Sequence, residues 1–574
     1  MKTRYFVAAV AGALLTLSSC VKDLETKPLN EWDQTSEAAY GADEAGYIQG
    51  LAKIYNTMST HVLTDVSGVD GGATSITRAF WACQEITTDA CLCAWGNDGW
   101  VRAMNYNTWT DAENEAVFGV FFRSLQAISY VNEYIRQTEN DKLDIRGVSS
   151  EVKAKIQEYR AEARLIRAWY YWMAMDVFGA VPFATEDTAF GAEAPEQKPR
   201  EFIYEYVVSE LEDLASDASA LPAARSNYPR VDKGSALGLL ARIYLNAETY
   251  KGEPEWELAK QTCERIFGMG YGLASNYASL FRGDNGENSD ALQEFLMVVP
   301  FDSHKQQSYG GTSFLSLAAQ NEATDLTEMF DVLDENGNVK YDENGAKITA
   351  KISPLGITGG WGGIRTTFEY AKKYFNVSNP NYETGDYTCA DKRAFFHIKG
   401  RYENITSHEE VINFLYGWSC WKFNNIPHNQ DKYSFKEEAL NESFADIDYP
   451  VVRLGEIYLI YAEACVRLGQ GNLAQSKMDE LAVRTGVSAI TLPAAWDDTA
   501  RDLFVAERAR ELMWEACRRT DLIRYDLFSS AEYLWPFKGG ESPVGQAFPE
   551  YKELFAIPAS QIAANPDLKN PEGY

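Results

Sequence analysis

Catalytic signature motifs are absent from this sequence. It contains no GxSxG nucleophile elbow, no HExxH zinc motif and no CxxC pair. Only five of its 574 residues are histidines, and these are scattered at positions 61, 304, 397, 408 and 428. The absences argue against a serine hydrolase or a zinc enzyme. They do not exclude a glycoside hydrolase, because that chemistry needs only two spaced carboxylates and the chain has 83 acidic residues.

Positive charge is also scarce. The chain has 53 Lys and Arg residues against 83 Asp and Glu residues, so its formal net charge is −30. Nucleic acids and anionic lipid surfaces bind clustered cations, so neither is an expected partner. Aromatic residues, in contrast, make up 13% of the chain, with 14 Trp and 33 Tyr. In an acidic, exported protein such rings favour neutral sugars, which offer apolar ring faces and many hydroxyls.

The hydrophobic run at the N-terminus is too short to span a membrane as a mature helix. Two basic residues precede apolar residues 6–17, and the run ends in Leu-Ser-Ser-Cys20. This end resembles a bacterial lipobox, which implies removal of residues 1–19 and lipidation of Cys20. A secretory signal with an incidental cysteine is the alternative. Residues 20–37 are polar without a helical period and are predicted to be a tether ahead of one domain, 38–574.

The main helical signal lies between Lys155 and Phe183. Apolar residues recur there every three or four positions, which places them on one side of an α-helix. They are Ile156, Tyr159, Ala163, Ile166, Tyr170, Met173 and Val177, with Ala161, Ala168 and Met175 widening the stripe. So wide a stripe predicts a largely buried helix, which Gly179 and Pro182 would end.

Two segments of about 34 residues repeat one pattern of helix, turn and helix. They are Ser235–Gly268 and Arg453–Gly486, and both turns contain glycine. The period matches tetratricopeptide-like repeats, although two unrelated helical hairpins would give the same pattern. Together with the helix at 155–177, they predict a mostly α fold with a helical repeat scaffold over about 121–268 and 450–528.

Four other helices are predicted from apolar spacing. They cover Ala45–Met58, Phe121–Gln137, Phe202–Leu221 and a final stretch from near Thr499 through residues 507–528. The last stretch is rich in Glu and Arg at spacings that allow ion pairs, and these charges are predicted to be structural.

The segment from about 270 to 450 has short apolar runs and many Gly and Asn residues. It is predicted to be a loop-rich lobe inserted between the repeat units. Within it, Asp334–Gly337 and Asp342–Gly345 share the sequence Asp-Glu-Asn-Gly. Asn-Gly steps favour tight hairpin turns, and calcium loops are the alternative, although the ligand spacing is incomplete.

Cysteines give no metal signature. Cys83, Cys91 and Cys93 lack a fourth ligand at a suitable spacing, which disfavours zinc, while export permits a disulfide. We expect three others to be buried packing residues, because they lie on helical stripes: Cys263, Cys465 and Cys517.

Beyond these patterns, the chain resembles the SusD/RagB family. The matching segments are the lipobox, 160–183 (RAEARLIRAWYYWMAMDVFGAVPF), 230–245 (RVDKGSALGLLARIYL), 448–464 (DYPVVRLGEIYLIYAEA), 507–528 and 557–574 (IPASQIAANPDLKNPEGY). The resemblance implies a non-catalytic outer-membrane lipoprotein on the cell surface that binds glycans. It also implies a scaffold of four tetratricopeptide-like units under a variable ligand lobe, and a SusC-like, TonB-dependent barrel as partner.

Four further runs are similar to the starch-binding founder of the family. They are 77–98 (TRAFWACQEITTDACLCAWGND), 308–315 (SYGGTSFL), 355–364 (LGITGGWGGI) and 532–540 (EYLWPFKGG). This likeness implies a ligand site for curved α-glucan made of Asp70, Arg78, Trp95, Asn97, Tyr309 and Trp361. The founder's Asn falls at Asn97 or Asp98. Two departures are that Cys93 stands where the founder has a Trp and that about 320–350 is an insertion.

The chemistry of these residues suits a sugar without reference to the family. A flat ring buries the apolar face of a pyranose, and Arg78 offers a fork of donors to hydroxyl pairs. Asp70 and Asn97 would fix orientation. Core packing is the alternative role for each Trp. Trp361 is predicted to be exposed, because the glycines at 359, 360, 362 and 363 cannot bury it.

A calcium site is a further expectation. Asp284, Asn288 and Asp290 place oxygen side chains at alternate positions, as at the start of a calcium loop. The resemblance implies calcium nearby, with Asp446 and Asp448 as additional ligands. A polar surface turn is the alternative.

The predicted function is therefore capture of starch-like α-glucan oligosaccharides for the uptake barrel. The alternatives are a surface glycoside hydrolase and a family member that binds another glycan. A peptide-binding tetratricopeptide adaptor is disfavoured, because such grooves are usually basic.

The lipobox makes a direct prediction. We expect Cys20→Ala to abolish lipidation, because the acyl acceptor would be the Cys20 thiol and amine. Metabolic labelling with a fatty-acid analogue should mark the wild-type protein alone. Equal labelling of the variant would contradict the lipobox.

Overall fold

The computed structural model describes residues 39–61, 70–188, 194–325, 329–334, 336–351, 353–428, 435–436 and 443–574. The predicted signal peptide, Cys20 and the tether to residue 37 lie outside this range, and their assignments stay predictions.

Helices dominate the described chain. They are α1 (Ala45–Ser59), α2 (Ile76–Glu85), α3 (Gly99–Asn105), α4 (Glu115–Gln137), α5 (Asn140–Ile145), α6 (Ser150–Phe178), α7 (Arg200–Leu214), α8 (Lys233–Leu245), α9 (Ala247–Lys251), α10 (Trp256–Phe267), α11 (Ser289–Leu292), α12 (Gly311–Ala319), α13 (Glu322–Asp325), α14 (Phe368–Ala371), α15 (His408–Val411), α16 (Leu454–Arg467), α17 (Gln475–Thr485), α18 (Asp498–Glu511), α19 (Arg518–Arg524) and α20 (Ala559–Ala564). None of these is both long and apolar enough to cross a bilayer.

Strands are short and lie mainly in the lobe. They are β1 (Leu92–Cys93), β2 (Val181–Pro182), β3 (Gln197–Lys198), β4 (Phe295–Val299), β5 (Met329–Leu333), β6 (Thr349–Lys351), β7 (Ile364–Arg365), β8 (Phe396–His397), β9 (Ser419–Cys420), β10 (Phe435–Lys436) and β11 (Tyr449–Arg453). The antiparallel pairs are β1–β7, β2–β3, β4–β11, β5–β6 and β8–β9, and β10 runs parallel to β5.

Helix α6 confirms the main helical prediction. It begins after Ser149, whose side chain accepts a hydrogen bond from the Val152 N–H, and it ends at Gly179 with φ +72°. All ten residues of the predicted stripe are buried. The apolar spacing therefore identified both the helix and its buried face.

Successive helices pack pairwise into a repeat scaffold. Helix α4 packs on α6, α6 on α7, α7 on α8 and α8 on α10. Helix α10 then packs on α16, which is almost 190 residues further along the chain, and α16 packs on α17 and α18. The predicted mostly α, tetratricopeptide-like scaffold is confirmed, and the chain leaves it after α10 to form the lobe.

The lobe begins and ends on one strand pair. Strand β4 pairs with β11 in the register Tyr449↔Val299 and Arg453↔Phe295. The intervening segment therefore leaves and re-enters the scaffold at the same place. Within it, the Asp-Glu-Asn-Gly repeats form hairpin turns as predicted, with Gly337 at φ +83° and Gly345 at φ +77°.

One predicted helix ends early. The apolar spacing predicted a helix to Leu221, but α7 ends at Leu214. Turns follow, in which the Ser219 N–H donates to the Ser216 carbonyl and the Leu221 N–H donates to the Ser219 hydroxyl. Local serine hydrogen bonds thus replace the helical ladder.

The final helical stretch is interrupted. Sequence spacing predicted helix through 507–528, but Leu512–Cys517 separates α18 from α19, with Trp514 at φ +61° and Ala516 at φ +57°. The Trp514 indole donates to the Ala90 carbonyl at 3.1 Å, and the Trp81 indole donates to the Trp514 carbonyl at 3.1 Å. These long-range hydrogen bonds hold a buried turn that local periodicity does not reveal.

The charges of this stretch are structural, as predicted. Buried Arg453 pairs with Glu294 at 2.9 Å, Glu511 at 2.6 Å and Glu515 at 2.7 Å. Burial opposes ionisation of Glu511, but the charges of Arg484, Arg453 and Arg393 outweigh it and hold the pKa of its carboxyl well below its usual value. Because Arg393 and Glu294 belong to the lobe, this buried network joins the lobe to the scaffold.

All eight cysteines in the described part of the chain are free. Cys263, Cys465 and Cys517 are buried among helices, which confirms their predicted packing role.

Tyr170 provides a test of the scaffold. It is fully buried, and its hydroxyl lies 2.8 Å from that of Thr57 on α1. We expect Tyr170→Ala to lower the free energy of unfolding by about 3–5 kcal/mol, because it leaves a cavity. Val483→Ala is the control, since that side chain is 80% exposed. Equal denaturation midpoints for the two variants would contradict the packing described.

Candidate functional site

The candidate site is an open cleft of about 930 Å³, lined by residues between His61 and Glu115 and by Tyr309 and Trp361 of the lobe. All six residues implied by the family resemblance line it, although they come from four separate parts of the chain. The lining residues are His61, Asp70, Gly71, Gly72, Arg78, Trp95, Asn97, Asp98, Gly99, Trp100, Glu115, Tyr309 and Trp361.

Strands β1 and β7 position two of the rings. Their register pairs Cys93 with Ile364, and just beyond it the Ala94 N–H donates to the Gly363 carbonyl at 2.8 Å. Trp95 lies two residues after β1 and Trp361 three residues before β7, so the pairing brings the two side chains together. Their ring centroids are 6.4 Å apart and the ring planes are inclined at 56°.

Gly363 allows the close approach of this pair. Its φ is +115°, and a Cβ at this position would lie 2.5 Å from the Trp95 Nε1 atom. The Trp95 ring therefore packs directly over the glycine backbone. A larger residue would displace the ring as well as strain the backbone.

Tyr309 extends the ring surface beyond Trp361. The centroids of these two rings are 5.6 Å apart at 50°, and Phe444 and His61 pack against Tyr309 at 4.7 Å and 5.4 Å. The side chains of Tyr309 and Trp361 are 38% and 37% exposed, respectively. The predicted exposure of Trp361 is confirmed.

Arg78 lies beneath the rings on α2. Its guanidinium carbon is 4.5 Å from the Phe314 ring centroid, 5.5 Å from that of Trp95 and 5.8 Å from that of Trp361. Its Nε is buried, and no described residue accepts a hydrogen bond from it. The guanidinium also carries donors on its two terminal nitrogens, and these are the donors that Arg78, as a lining residue, would offer a ligand in the cleft.

Burial also affects the charge of this arginine. It lowers the pKa of Arg78 below its ordinary value, while the nearby charge of Asp70 opposes that shift. Arginine is nevertheless a cation at neutral pH, because its ordinary pKa is so high. Asp70 itself is exposed, and its Oδ1 accepts hydrogen bonds from the Gly72 N–H at 2.8 Å and the Ala73 N–H at 3.3 Å.

The choice between Asn97 and Asp98 stays open. Both side chains are exposed and line the cleft. Asp98 precedes α3, but its side chain makes no capping hydrogen bond, so either residue is free to contact a ligand.

Besides three glycines, three lining residues were not anticipated: His61, Trp100 and Glu115. Trp100 stands in a Gly- and Asp-rich run close to Trp95, and this clustering was a usable signal. Glu115 is the first residue of α4, and nothing in its neighbouring sequence indicates a site. Only the packing of α4 beside α2 brings it to the cleft.

Comparison with known proteins now assigns the family. A SusD/RagB model, described as SusD family, matches residues 330–574, and a second model, described as starch-binding associating with outer membrane, matches 64–245. The starch-binding protein SusD of Bacteroides thetaiotaomicron is 26% identical over 611 aligned positions, with all of both chains covered. The chain belongs to the SusD/RagB family.

Another relative is similar in sequence over much of the chain. SusD-like protein P25 of Formosa agariphila is 24% identical, with 79% of this chain and 80% of that protein covered. SusD, which aligns with the whole chain, is named for binding, and the chain is a non-catalytic member of this family.

Solved SusD-like structures share the fold. Surface glycan-binding protein A of B. thetaiotaomicron, solved in complex with laminarihexaose, matches with a TM-score of 0.61 at 18% identity over 92% of this chain and 99% of that chain. A SusD superfamily protein from Bacteroides vulgatus matches with a TM-score of 0.61 at 17% identity, over 93% and 99% of the two chains.

Where this chain departs from the family founder, the structure shows the consequence. Cys93 is fully buried in β1, and its backbone N–H donates to the Asn105 side chain at 2.9 Å. It offers no face to a sugar. The insertion includes the β5–β6 hairpin, and a backbone bridge between Asn321 and Trp361 connects its start to the cleft.

The residues of the expected calcium site are engaged in loop hydrogen bonds. Asp290 accepts from the Ser275 and Asn276 N–H groups at 2.7 and 3.0 Å, and Asn288 caps α11. Asp284 accepts from the His428 N–H, Asp446 from the Ser303 N–H and Asp448 from the Phe301 N–H. In the described residues, no three His, Cys, Asp or Glu side chains form a metal cluster. Calcium stays a prediction.

Proposed function

We propose that the cleft binds an α-glucan oligosaccharide through Trp95, Trp361 and Tyr309. The observation that carries the proposal is the inclination of neighbouring rings by 56° and 50°. Rings inclined in this way make a curved surface, which suits the coil of an α-1,4 chain. A flat ribbon such as cellulose would need nearly coplanar rings.

Polar groups beside the rings would fix the orientation of the bound sugar. Arg78 has an unpaired donor and lies within 6 Å of both Trp ring centroids. Asp70 and Asn97 border the same cleft and provide acceptors and a donor for sugar hydroxyls. Preformed rings and fixed hydrogen-bonding groups reduce the ordering cost of binding.

A curved β-glucan is the second candidate. A protein named as a laminarin-binding SusD-like protein matches this fold with a TM-score of 0.62 at 17% identity over 93% of this chain and 100% of that chain. Laminarin is a coiled β-1,3-glucan, so a curved ring surface alone does not separate it from starch. The relative named for starch binding aligns over the full chain, which favours the α-glucan.

We further propose that the protein is held on the outer membrane by lipid at Cys20 and is exposed to the outside. The lipobox-like N-terminus and the family description of outer-membrane association support this location. A SusC-like, TonB-dependent barrel would receive the glycan. Recovery of the tagged protein from gently solubilised membranes without any barrel would argue against that partner.

Trp361→Ala tests the ligand assignment. We expect the free energy of binding to β-cyclodextrin and to maltoheptaose to become less favourable by about 1–3 kcal/mol. This is the range seen when an aromatic ring that stacks on a nucleic-acid base is removed. The melting temperature should hardly change, because the ring is partly exposed and sits among glycines. Calorimetric titration gives the affinities.

Tyr341→Ala is the matched control, because that ring is 57% exposed on the β5–β6 hairpin and lies outside the cleft. Wild-type protein should bind β-cyclodextrin more tightly than laminarihexaose or cellohexaose. Tighter binding of laminarihexaose would reject the starch assignment and leave the family assignment unchanged. Full α-glucan binding by Trp361→Ala would reject the ring surface.

A further inference from the structure

The cleft has an excess of negative charge that sugar stacking does not explain. Three carboxylates line it, those of Asp70, Asp98 and Glu115, against one guanidinium, that of Arg78. No described basic residue forms an ion pair with any of the three. His61 does not compensate, because burial lowers its pKa below the ordinary value and favours the neutral ring.

The side chain of Glu115 lines the cleft at the start of α4. Burial, and then the charges of Asp70 and Asp98, raise the pKa of the Glu115 carboxyl above its usual value. All three carboxylates line the same cleft. Glu115 does not cap α4. The neighbouring Asn114 caps it, because its side chain accepts a hydrogen bond from the Val117 N–H.

Arg78 does not offer an independent anion site. Its Nη1 and the Asp70 Oδ1 lie 3.0 Å and 3.1 Å from the point where a Cβ on Gly72 would be. An anion that approached the guanidinium there would also meet the Asp70 carboxylate. The surrounding carboxylates therefore disfavour a negative ligand beside Arg78.

We propose that Glu115, together with Asp70 and Asp98, makes the cleft select neutral and amine-bearing glycans and reject uronic-acid and sulfated glycans. The inference rests on the proposed glycan binding and adds the charge class of the ligand. Glu115 acts as a specificity-determining residue. A carboxylate on the ligand would face like charges at short range, and an ammonium would face opposite charges.

The experiment uses one glycan in three charge states. β-Cyclodextrin, its mono-6-amino derivative and its mono-6-carboxy derivative are titrated calorimetrically into the wild-type protein at pH 7 and low salt. The expected order of affinity is amino, neutral, carboxy, with about three- to tenfold between successive ligands for charges separated by several ångströms in a partly hydrated cleft. The differences should shrink at high ionic strength.

Glu115→Gln separates the role of this residue from the net charge of the protein. For this variant, the amino-ligand affinity divided by the carboxy-ligand affinity should be at least about threefold smaller than for the wild type. Glu158→Gln is the matched control, since it removes the same charge from an exposed position on α6 outside the cleft. For wild type, lowering the pH through the raised pKa of Glu115 should also reduce the preference for the amino ligand.

The outcomes distinguish this inference from the proposed function. If neutral β-cyclodextrin fails to bind but laminarihexaose binds, the α-glucan assignment fails, and the comparison is repeated with laminarihexaose and its C6-carboxylated form. Equal or tighter binding of the carboxylated ligand overturns charge selection. Equal affinity ratios for Glu115→Gln and Glu158→Gln overturn the role of Glu115. Binding of neither neutral glycan overturns both proposals.

Discussion

The cleft depends on one short contact between distant parts of the chain. Strands β1 and β7 pair over two residues each, and the Gly363 backbone approaches so closely that the Trp95 ring rests on it. More than 260 residues separate these strands, yet their pairing sets the distance and angle between Trp95 and Trp361. The ring surface is curved because the two ring planes are inclined to each other, and one ring alone would offer only a flat face.

The scaffold keeps this contact in place. Strands β4 and β11 join the two ends of the lobe, and the buried network around Arg453 connects Glu294 of the lobe to Glu511 of α18. Such networks are stable only when all partners are present, because a lone buried charge is costly. The rings are thus carried on a rigid support, which suits a protein that binds its ligand and performs no chemistry on it.

Local periodicity predicted most of the scaffold, because an amphipathic helix records its buried face in its own spacing. The stripe from Ile156 to Val177 is an example. The turn at Trp514 was missed because its stabilising hydrogen bonds come from Trp81 and Ala90, far along the chain. The six candidate ligand residues came from family resemblance, and the structure brings them to one cleft. Neither periodicity nor family resemblance predicted Glu115, because only the packing of α4 brings it to the cleft.

Two glycine variants test whether the close approach at Gly363 positions the rings for a sugar. Both Gly363 and Gly359 have positive φ, but a Cβ on Gly359 meets nothing within 4 Å. We expect Gly363→Ala to bind β-cyclodextrin about tenfold more weakly than Gly359→Ala, a difference at the low end of typical overpacking costs. Thermal unfolding confirms that both variants are folded. If both variants are folded and bind β-cyclodextrin with equal affinity, Gly363 does not position the rings for the sugar.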